Sequence, residues 1–259
     1  MMTATGIRKD ARDHLTNKWG KGALITLCFF LIEFAFNLLS SVTKDIPVLS
    51  LIVSIGITVI SIPLTYGIII SFMKLKRDEE VSAFDFLTLG FSEFSRAWKV
   101  AFSMLAKLIL PIVLVGISYF VILVASGLLL FSSSSSIISD SAYSISSSIS
   151  IILLIIGVVG LFASSIYAYV KELSLTLSYN IAYDEPDLTT KQAVEKSQTL
   201  MKGNKGNCFV LTLSFIGWAI LAALTFGIGM LWLMPYIQVS MVCFYEHIIN
   251  KDSKWLIYI

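Results

Sequence analysis

Charge is scarce in this chain of 259 residues: Asp, Glu, Lys and Arg make up 14% of it, against 56% for the hydrophobic types. An ordinary soluble domain carries about 25% charged residues. The shortage therefore excludes that class and places the chain among membrane proteins. The net charge of +2 is too small to indicate nucleic acid as a partner.

Cysteine and histidine are scarce as well, and no familiar catalytic motif occurs. Cys28, Cys208 and Cys243 lie in or at the ends of apolar runs, with spacing that fits neither a disulfide framework nor a zinc site. His14 and His247 flank the apolar runs, and two histidines alone make a weak metal site. Nucleophile-elbow, P-loop, zinc-protease and dinucleotide-binding motifs are all missing. We expect no catalytic residues, no cofactor and no metal, and predict that the protein is not an enzyme.

What the chain has in abundance is long apolar runs. A helix needs about 20 apolar residues to cross a bilayer, and the runs predict six spans, at about 22–42, 46–73, 101–131, 151–170, 208–226 and 230–245. The first run is longer than the apolar region of a cleavable signal peptide and is followed by more spans, so we expect it to be retained. The predicted fold class is all-α, a polytopic membrane protein with a single membrane domain over 1–259.

Residues 1–21 form a basic segment with an apolar stripe. Ile7, Ala11, Leu15 and Trp19 recur every four residues, which places them on one face of a helix. We predict a cytoplasmic amphipathic helix that rests on the membrane surface. An ordinary solvated terminus is the alternative.

Two later polar segments predict further amphipathic helices on the same side. Ser82 and Asp85 have the spacing of a capping box, at the start of a helix with an aromatic face expected to lie on the bilayer or on the bundle. Thr189 and Gln192 have the same spacing at the start of a third helix, and Gly203 provides its stop.

Residues 132–150 are rich in serine and of low complexity. This composition predicts a flexible external loop, and a plain linker is favoured over an O-glycosylated stalk. The order of amphipathic helix, span and span occurs three times, over 7–73, 82–171 and 189–249. It indicates either three parallel hairpin units or the pattern that any six-span protein with cytoplasmic loops would show.

Lys and Arg are distributed unevenly about the predicted spans. With six spans, both termini and the loops 74–100 and 171–207 lie on one side. That side holds 18 of the 19 Lys and Arg residues when Lys107, at the near end of the third span, is counted with it. The opposite side has only Lys44. By the positive-inside rule the basic side is cytoplasmic. We therefore predict a multi-pass protein of the cell membrane with its N- and C-termini in the cytoplasm.

Glu33 is the sharpest single candidate for a functional residue. It lies about 11 residues into the first span, about 16 Å along the helix axis, where an ionised carboxylate is costly. Asn37 lies one turn further on the same face, and Lys107 in the third span could reach toward it. This intramembrane polar set is either a proton or substrate site or an interhelical hydrogen bond that fixes packing, with Lys107 extending to the interface.

The last third of the chain carries a series of short motifs. They are Tyr179-x-x-Ala182-Tyr183, Glu185-Pro186, Ala193 with Ser197, Leu200-Met201-x-Gly203-x-Lys205, Leu213-Ser214-Phe215-Ile216-Gly217-Trp218, Thr225-x-Gly227-Ile228-Gly229, Pro235-Tyr236 and Phe244-Tyr245. With Gly90-Phe91 and the basic N-terminus, they resemble an uncharacterised family of integral membrane proteins of Gram-positive bacteria, catalogued as domain of unknown function 975. The resemblance implies a fold and a membrane location but no reaction.

These features predict a non-enzymatic membrane scaffold or interaction protein. Its expected partners are the lipid bilayer, anionic lipids at the cytoplasmic face and an unknown membrane protein. The candidate surface implied by the resemblance comprises Ser197, Gly203, Lys205, Trp218, Pro235 and Tyr236. The alternative is a small transporter or channel subunit with Glu33 at mid-membrane depth.

Overall fold

The computed structural model describes residues 3–134 and 140–256, and all regular secondary structure within them is helical. Eleven helices occur in this part of the chain. In order they are α1 (Ala4–Leu15), α2 (Trp19–Thr43), α3 (Pro47–Lys76), α4 (Asp85–Ser92), α5 (Phe94–Ser134), α6 (Asp140–Leu173), α7 (Ser178–Asp184), α8 (Thr190–Leu200), α9 (Lys205–Leu213), α10 (Ile216–Leu224) and α11 (Met230–Leu256).

Five helical segments in the described residues are long and apolar enough to cross a membrane: Trp19–Thr43, Pro47–Lys76, Phe94–Ser133, Tyr143–Asp184 and Lys205–Leu224. They contain five of the six predicted spans. The predicted sixth span, 230–245, falls in α11, which is long enough but is less apolar because it carries Pro235, Gln238 and Glu246. The all-α fold with several membrane-length apolar helices is as predicted. Within residues 3–134 and 140–256 a sixth helix of that kind is not found.

The chain divides into two compact units, one of residues 104–173 and one of residues 1–103 with 174–259. In the smaller unit, α6 approaches the later part of α5 closely at two glycines. A Cβ added to Gly157 would lie 2.7 Å from the Ile122 side chain, and one added to Gly160 would lie 3.0 Å from the Ser118 hydroxyl. Small residues thus let these two helices pack, as they do in membrane bundles.

The buried core of the larger unit lies at one end of its helices, which is the same end that carries the basic residues. In α3 the side chains of Leu64, Ile70 and Phe72 are fully buried, whereas Val48 and Ile52 in the first half of the same helix are 70% and 61% exposed. One half of α3 is therefore covered by protein. The other half presents an apolar surface of the kind that suits lipid.

The N-terminal helix α1 lies on protein. Ile7, Ala11 and Leu15 are at most 1% exposed, because α1 packs on α11 and α9. Three residues of the predicted stripe, Ile7, Ala11 and Leu15, are confirmed on one face of α1, whereas Trp19 begins α2 and does not belong to this helix. The prediction of the stripe as a membrane-contacting face is wrong, since the apolar side of α11 takes the place that lipid was expected to fill.

Helix α4 runs antiparallel along α3. Phe86 lies opposite Gly67, and Gly90 lies opposite Pro63. The predicted capping box is half formed, because the Ser82 N–H donates to Asp85 Oδ2 at 2.9 Å while the helix has no side-chain cap at its N-terminus. The predicted aromatic face points outward, with Phe91 46% exposed, and the packing face is the one that carries Phe86 and Gly90.

Helix α8 begins and ends as predicted. Thr189 and Gln192 form the complete reciprocal capping box. Gly203 has a φ of +78°, the left-handed conformation that glycine adopts at least cost when it ends a helix.

The predicted serine-rich loop is wrong for residues 132–134 and 140–150, which are helical, while 135–139 lie outside the described residues. The hydroxyl groups of Ser132, Ser148 and Ser150 donate to backbone carbonyls three or four residues earlier, at 2.8–2.9 Å. These bonds satisfy the hydroxyls within the helix. Ile145 and Ile149 add an apolar stripe, which low-complexity composition conceals.

The helices that open the three predicted hairpin units each pack on another helix of the larger unit. Helix α4 packs on α3, α8 packs on α7, and α1 packs on α11. Helix α7 begins after residue 171 and so lies outside the second predicted unit, which means that these contacts do not pair each unit with the one before it. The three hairpin units stay a prediction.

Candidate functional site

Two residues of the predicted intramembrane polar set, Glu33 and Asn37, are joined by a hydrogen bond from side chain to backbone within α2. Glu33 is half-buried in α2, and the Asn37 side-chain amide donates to the Glu33 backbone carbonyl at 2.8 Å. One turn before Glu33, the ring of Phe29 meets Phe86 of α4, with centroids 6.0 Å apart. Glu33 therefore lies one helical turn beyond the point where α2 contacts α4, and α4 contains polar residues. Lys107 belongs to the other compact unit.

A charged cluster that sequence reasoning missed joins the C-terminal ends of α3 and α7 to the interior of α11. The Arg77 guanidinium donates two hydrogen bonds to the Asp184 carboxylate, both at 2.7 Å, and a third to Glu246 Oε1 at 3.1 Å. Tyr245 donates its hydroxyl proton to Asp184 Oδ2 at 2.9 Å, and Lys76 pairs with Glu246. We call these five residues the Arg77 cluster.

The Arg77 cluster works as a clamp between three helices. Its charged side chains are only 13–29% exposed, so their attraction is less screened by solvent than that of a surface pair. The hydrogen bond to Asp184 raises the pKa of the Arg77 guanidinium above its ordinary value. The sequence signal was available, since opposite charges follow three apolar runs of the sequence, but periodicity does not reveal which of these positions meet.

Two basic side chains bind the carbonyl groups that helix ends leave free. Arg96 donates to the backbone carbonyls of Ala182, Glu185, Pro186 and Leu188, at 2.9–3.2 Å, just beyond α7 and at its end. Lys18 donates to the Leu75 carbonyl at the end of α3, at 2.8 Å. Cations are favoured there by the partial negative charge of a helix C-terminus.

The candidate surface taken from the resemblance separates into two places. Ser197 is buried in α8, where its hydroxyl donates to the Ser174 carbonyl at 3.0 Å. Gly203 ends α8, and Lys205 begins α9. These residues have structural roles at the start of the last helical hairpin. Trp218 and Tyr236 lie elsewhere and line a cleft, and Pro235 lies beside Tyr236 against Gly22.

This aromatic cleft has a volume of about 420 Å³ and lies between α1, the start of α2 and the α10–α11 hairpin. Trp19, Trp218, Trp232 and Tyr236 contribute to its wall, and of the described residues that line it only Arg12 is charged. The Tyr236 ring packs edge-on against Trp19, with centroids 6.1 Å apart.

Pro235 positions the cleft. A Cβ added to Gly22 would lie 2.9 Å from Pro235 Cβ, so the glycine allows α11 to approach α2 at this point. Trp19 and Arg12 come from the other end of the chain, about 200 residues away from Trp218. Motif comparison selected Trp218 and Tyr236, and it gave no signal for the N-terminal half of the cleft.

Comparison with known proteins gives one family. A family model described as "Protein of unknown function (DUF975)" matches residues 1–252. No curated protein and no solved structure matches the chain. Within residues 3–134 and 140–256, no group of three or more His, Cys, Asp or Glu residues is placed to hold a metal ion.

Proposed function

This chain belongs to DUF975, a family of proteins of unknown function, and we propose that it is a non-enzymatic integral membrane protein that binds other membrane components. The observation that carries the proposal is the aromatic cleft. It opens beside helices of membrane length whose outward side chains are apolar, with Leu221 and Leu224 55% and 73% exposed. Large apolar clefts of this kind mark sites of interaction.

We further propose that all apolar segments enter the cell membrane from the cytoplasmic side, with both termini in the cytoplasm. The supporting observation is that the larger unit gathers its basic residues and its protein core at the same helix ends. Arg77, Arg96 and Lys18 all lie there. If the membrane surrounds the opposite ends of these helices, which are apolar, the charged ends stay in water. The positive-inside rule then places those charged ends in the cytoplasm.

For the last two predicted spans the geometry favours a shallow hairpin. Pro235 is level with Gly22, and the turn at Gly229 lies six residues before it, about 9 Å along α11. Helix α2 continues from Gly22 to Thr43, about 31 Å. The α10–α11 turn therefore stops well short of the α2–α3 turn. Phe226 at its tip is fully exposed, which suits insertion into lipid.

The proposed function is tested by site-specific photo-crosslinking together with flux measurements. A photoreactive residue at Leu221, in the cleft, is expected to capture a defined lipid or protein in intact membranes. The same residue at Ile155, which is 55% exposed in the smaller unit, is the control and is expected to capture only bulk lipid. Proteoliposomes of the purified chain are expected to show no flux.

The competing function is transport through Glu33. A transporter would give a flux of ions or small molecules that the Glu33→Gln variant abolishes. That result would contradict a binding role, because the change removes only the charge of a half-buried side chain and leaves its size unchanged.

A further inference from the structure

The wall of the aromatic cleft suits a hydrocarbon chain. Trp218 and Trp232 are each about half exposed, at 52% and 49%, so their ring faces are open to an occupant. Leu221 and Leu224 extend the same apolar surface along α10. A peptide would bring backbone N–H and C=O groups to this wall and find no partners for them, which is costly. An acyl chain has no such groups.

One end of the cleft is cationic. Arg12 is exposed and lines it, and among the described residues no carboxylate pairs with its guanidinium. Arg8, one turn earlier on α1, donates to the Ser214 carbonyl at 3.2 Å, where α9 gives way to α10. Tyr236 lines the cleft together with Arg12. A guanidinium group and a phenol hydroxyl are good donors to a phosphate.

We propose that the aromatic cleft binds one anionic phospholipid of the cytoplasmic leaflet. Its acyl chain lies along Trp218 and Trp232, and its phosphate accepts hydrogen bonds from Arg12 and from the Tyr236 hydroxyl. The site rests on the proposed membrane-binding function and names its ligand. Charge selects the lipid, because a zwitterionic headgroup brings its own cation to the arginines.

The test measures lipid retention by the purified full chain in mild detergent, by native mass spectrometry after incubation with equal amounts of phosphatidylglycerol and phosphatidylcholine. The wild-type chain is expected to retain one phosphatidylglycerol with about a tenfold preference. Arg12→Ala is expected to remove the preference, and Arg12→Lys to retain part of it, since a lysine keeps the charge but not the planar donor pair. Lys9→Ala is the matched control, because Lys9 is exposed on the same helix and does not line the cleft.

Three outcomes would overturn the site. The first is an equal preference in wild type and Arg12→Ala. The second is equal retention of the two lipids by the wild-type chain. The third is displacement by water-soluble glycerol phosphate at the same concentration as the lipid, which would show binding of the headgroup without the chain. A specific protein adduct at Leu221 alongside any of these results would leave the proposed function standing and remove the lipid site alone.

Discussion

Replacing Gly67 by alanine is expected to destabilise the protein by about 3 kcal/mol, at the upper end of the range for overpacking a core. A Cβ at this position would lie 1.9 Å from the Phe86 carbonyl oxygen and 2.9 Å from the Gly90 nitrogen. Both are backbone atoms, which cannot rotate out of the way. Helix α4 must therefore move off α3, and the contacts at Gly90 go with it. Thermal or denaturant unfolding of the purified protein measures the loss.

Gly56→Ala is the matched control for this prediction. Gly56 lies in the same helix, and nothing lies within 4 Å of the position that its Cβ would take. The change is expected to leave stability unaltered or to raise it by about 0.5–1 kcal/mol, because alanine is the better helix former. Equal effects at the two glycines would show that the close approach of α4 and α3 is not what fixes this region.

Replacing Arg77 by methionine is expected to cost about 2–4 kcal/mol, since one partner of a part-buried ion cluster is removed while the others stay. Asp184 and Glu246 would then face each other with Tyr245 and Lys76 as their remaining described partners. The clamp between α3, α7 and α11 would open. The measurement is again unfolding, supplemented by limited proteolysis at the ends of these helices.

Two comparisons distinguish the effect of breaking the Arg77 cluster from the effect of removing a positive charge. Lys9→Ala removes an exposed cation from α1 and is expected to change stability by less than about 0.5 kcal/mol. A double-mutant cycle with Arg77→Met and Asp184→Asn is expected to give a coupling energy above about 1 kcal/mol. A coupling near zero would mean that the bidentate bond does not hold the helix ends together.

Local features of this fold could be predicted, because their causes are local. The residue composition and the length of the apolar runs predicted the five membrane-length helices. The caps at Thr189 and Gly203 were predicted from spacing alone, since a capping box and a left-handed glycine act within one helical turn. The stripe of Ile7, Ala11 and Leu15 was found for the same reason. In each case residues that are close neighbours along the chain determine the structure.

Pairings between distant segments could not be predicted. The stripe on α1 is equally suited to lipid and to α11, and only the fold decides between them. Charges near Arg77, Asp184 and Glu246 were visible as loop residues, but their separation of up to 169 residues concealed the cluster. The prediction of a loop in the serine-rich segment was wrong for a different reason. Hydrogen bonds from the serine hydroxyls to the segment's own backbone let a low-complexity sequence continue as helix.

In the candidate site, too, the local motifs could be predicted and the pairing of distant segments could not. Motif resemblance drew attention to Trp218, Pro235 and Tyr236, all in the last 45 residues. Trp218 and Tyr236 line the cleft, and Pro235 lies beside Tyr236 outside the lining. The cleft also needs Arg12 and Trp19 from the N-terminus, and it is Arg12 that gives the cleft a charge. Sequence reasoning put most weight on Glu33, because a carboxylate in an apolar run is conspicuous. The structure gives it one neighbouring amide, bonded to its backbone.

The central claim is that the chain is a membrane protein with its basic helix ends in the cytoplasm, and labelling of single cysteines tests it most directly. In a background with Cys28, Cys208 and Cys243 replaced, a cysteine is placed at Ser134 or at Lys251, and intact cells are treated with a membrane-impermeant maleimide. We expect Ser134→Cys to react from outside and Lys251→Cys to react only after the membrane is permeabilised. Reaction of both positions from the same face would contradict the account.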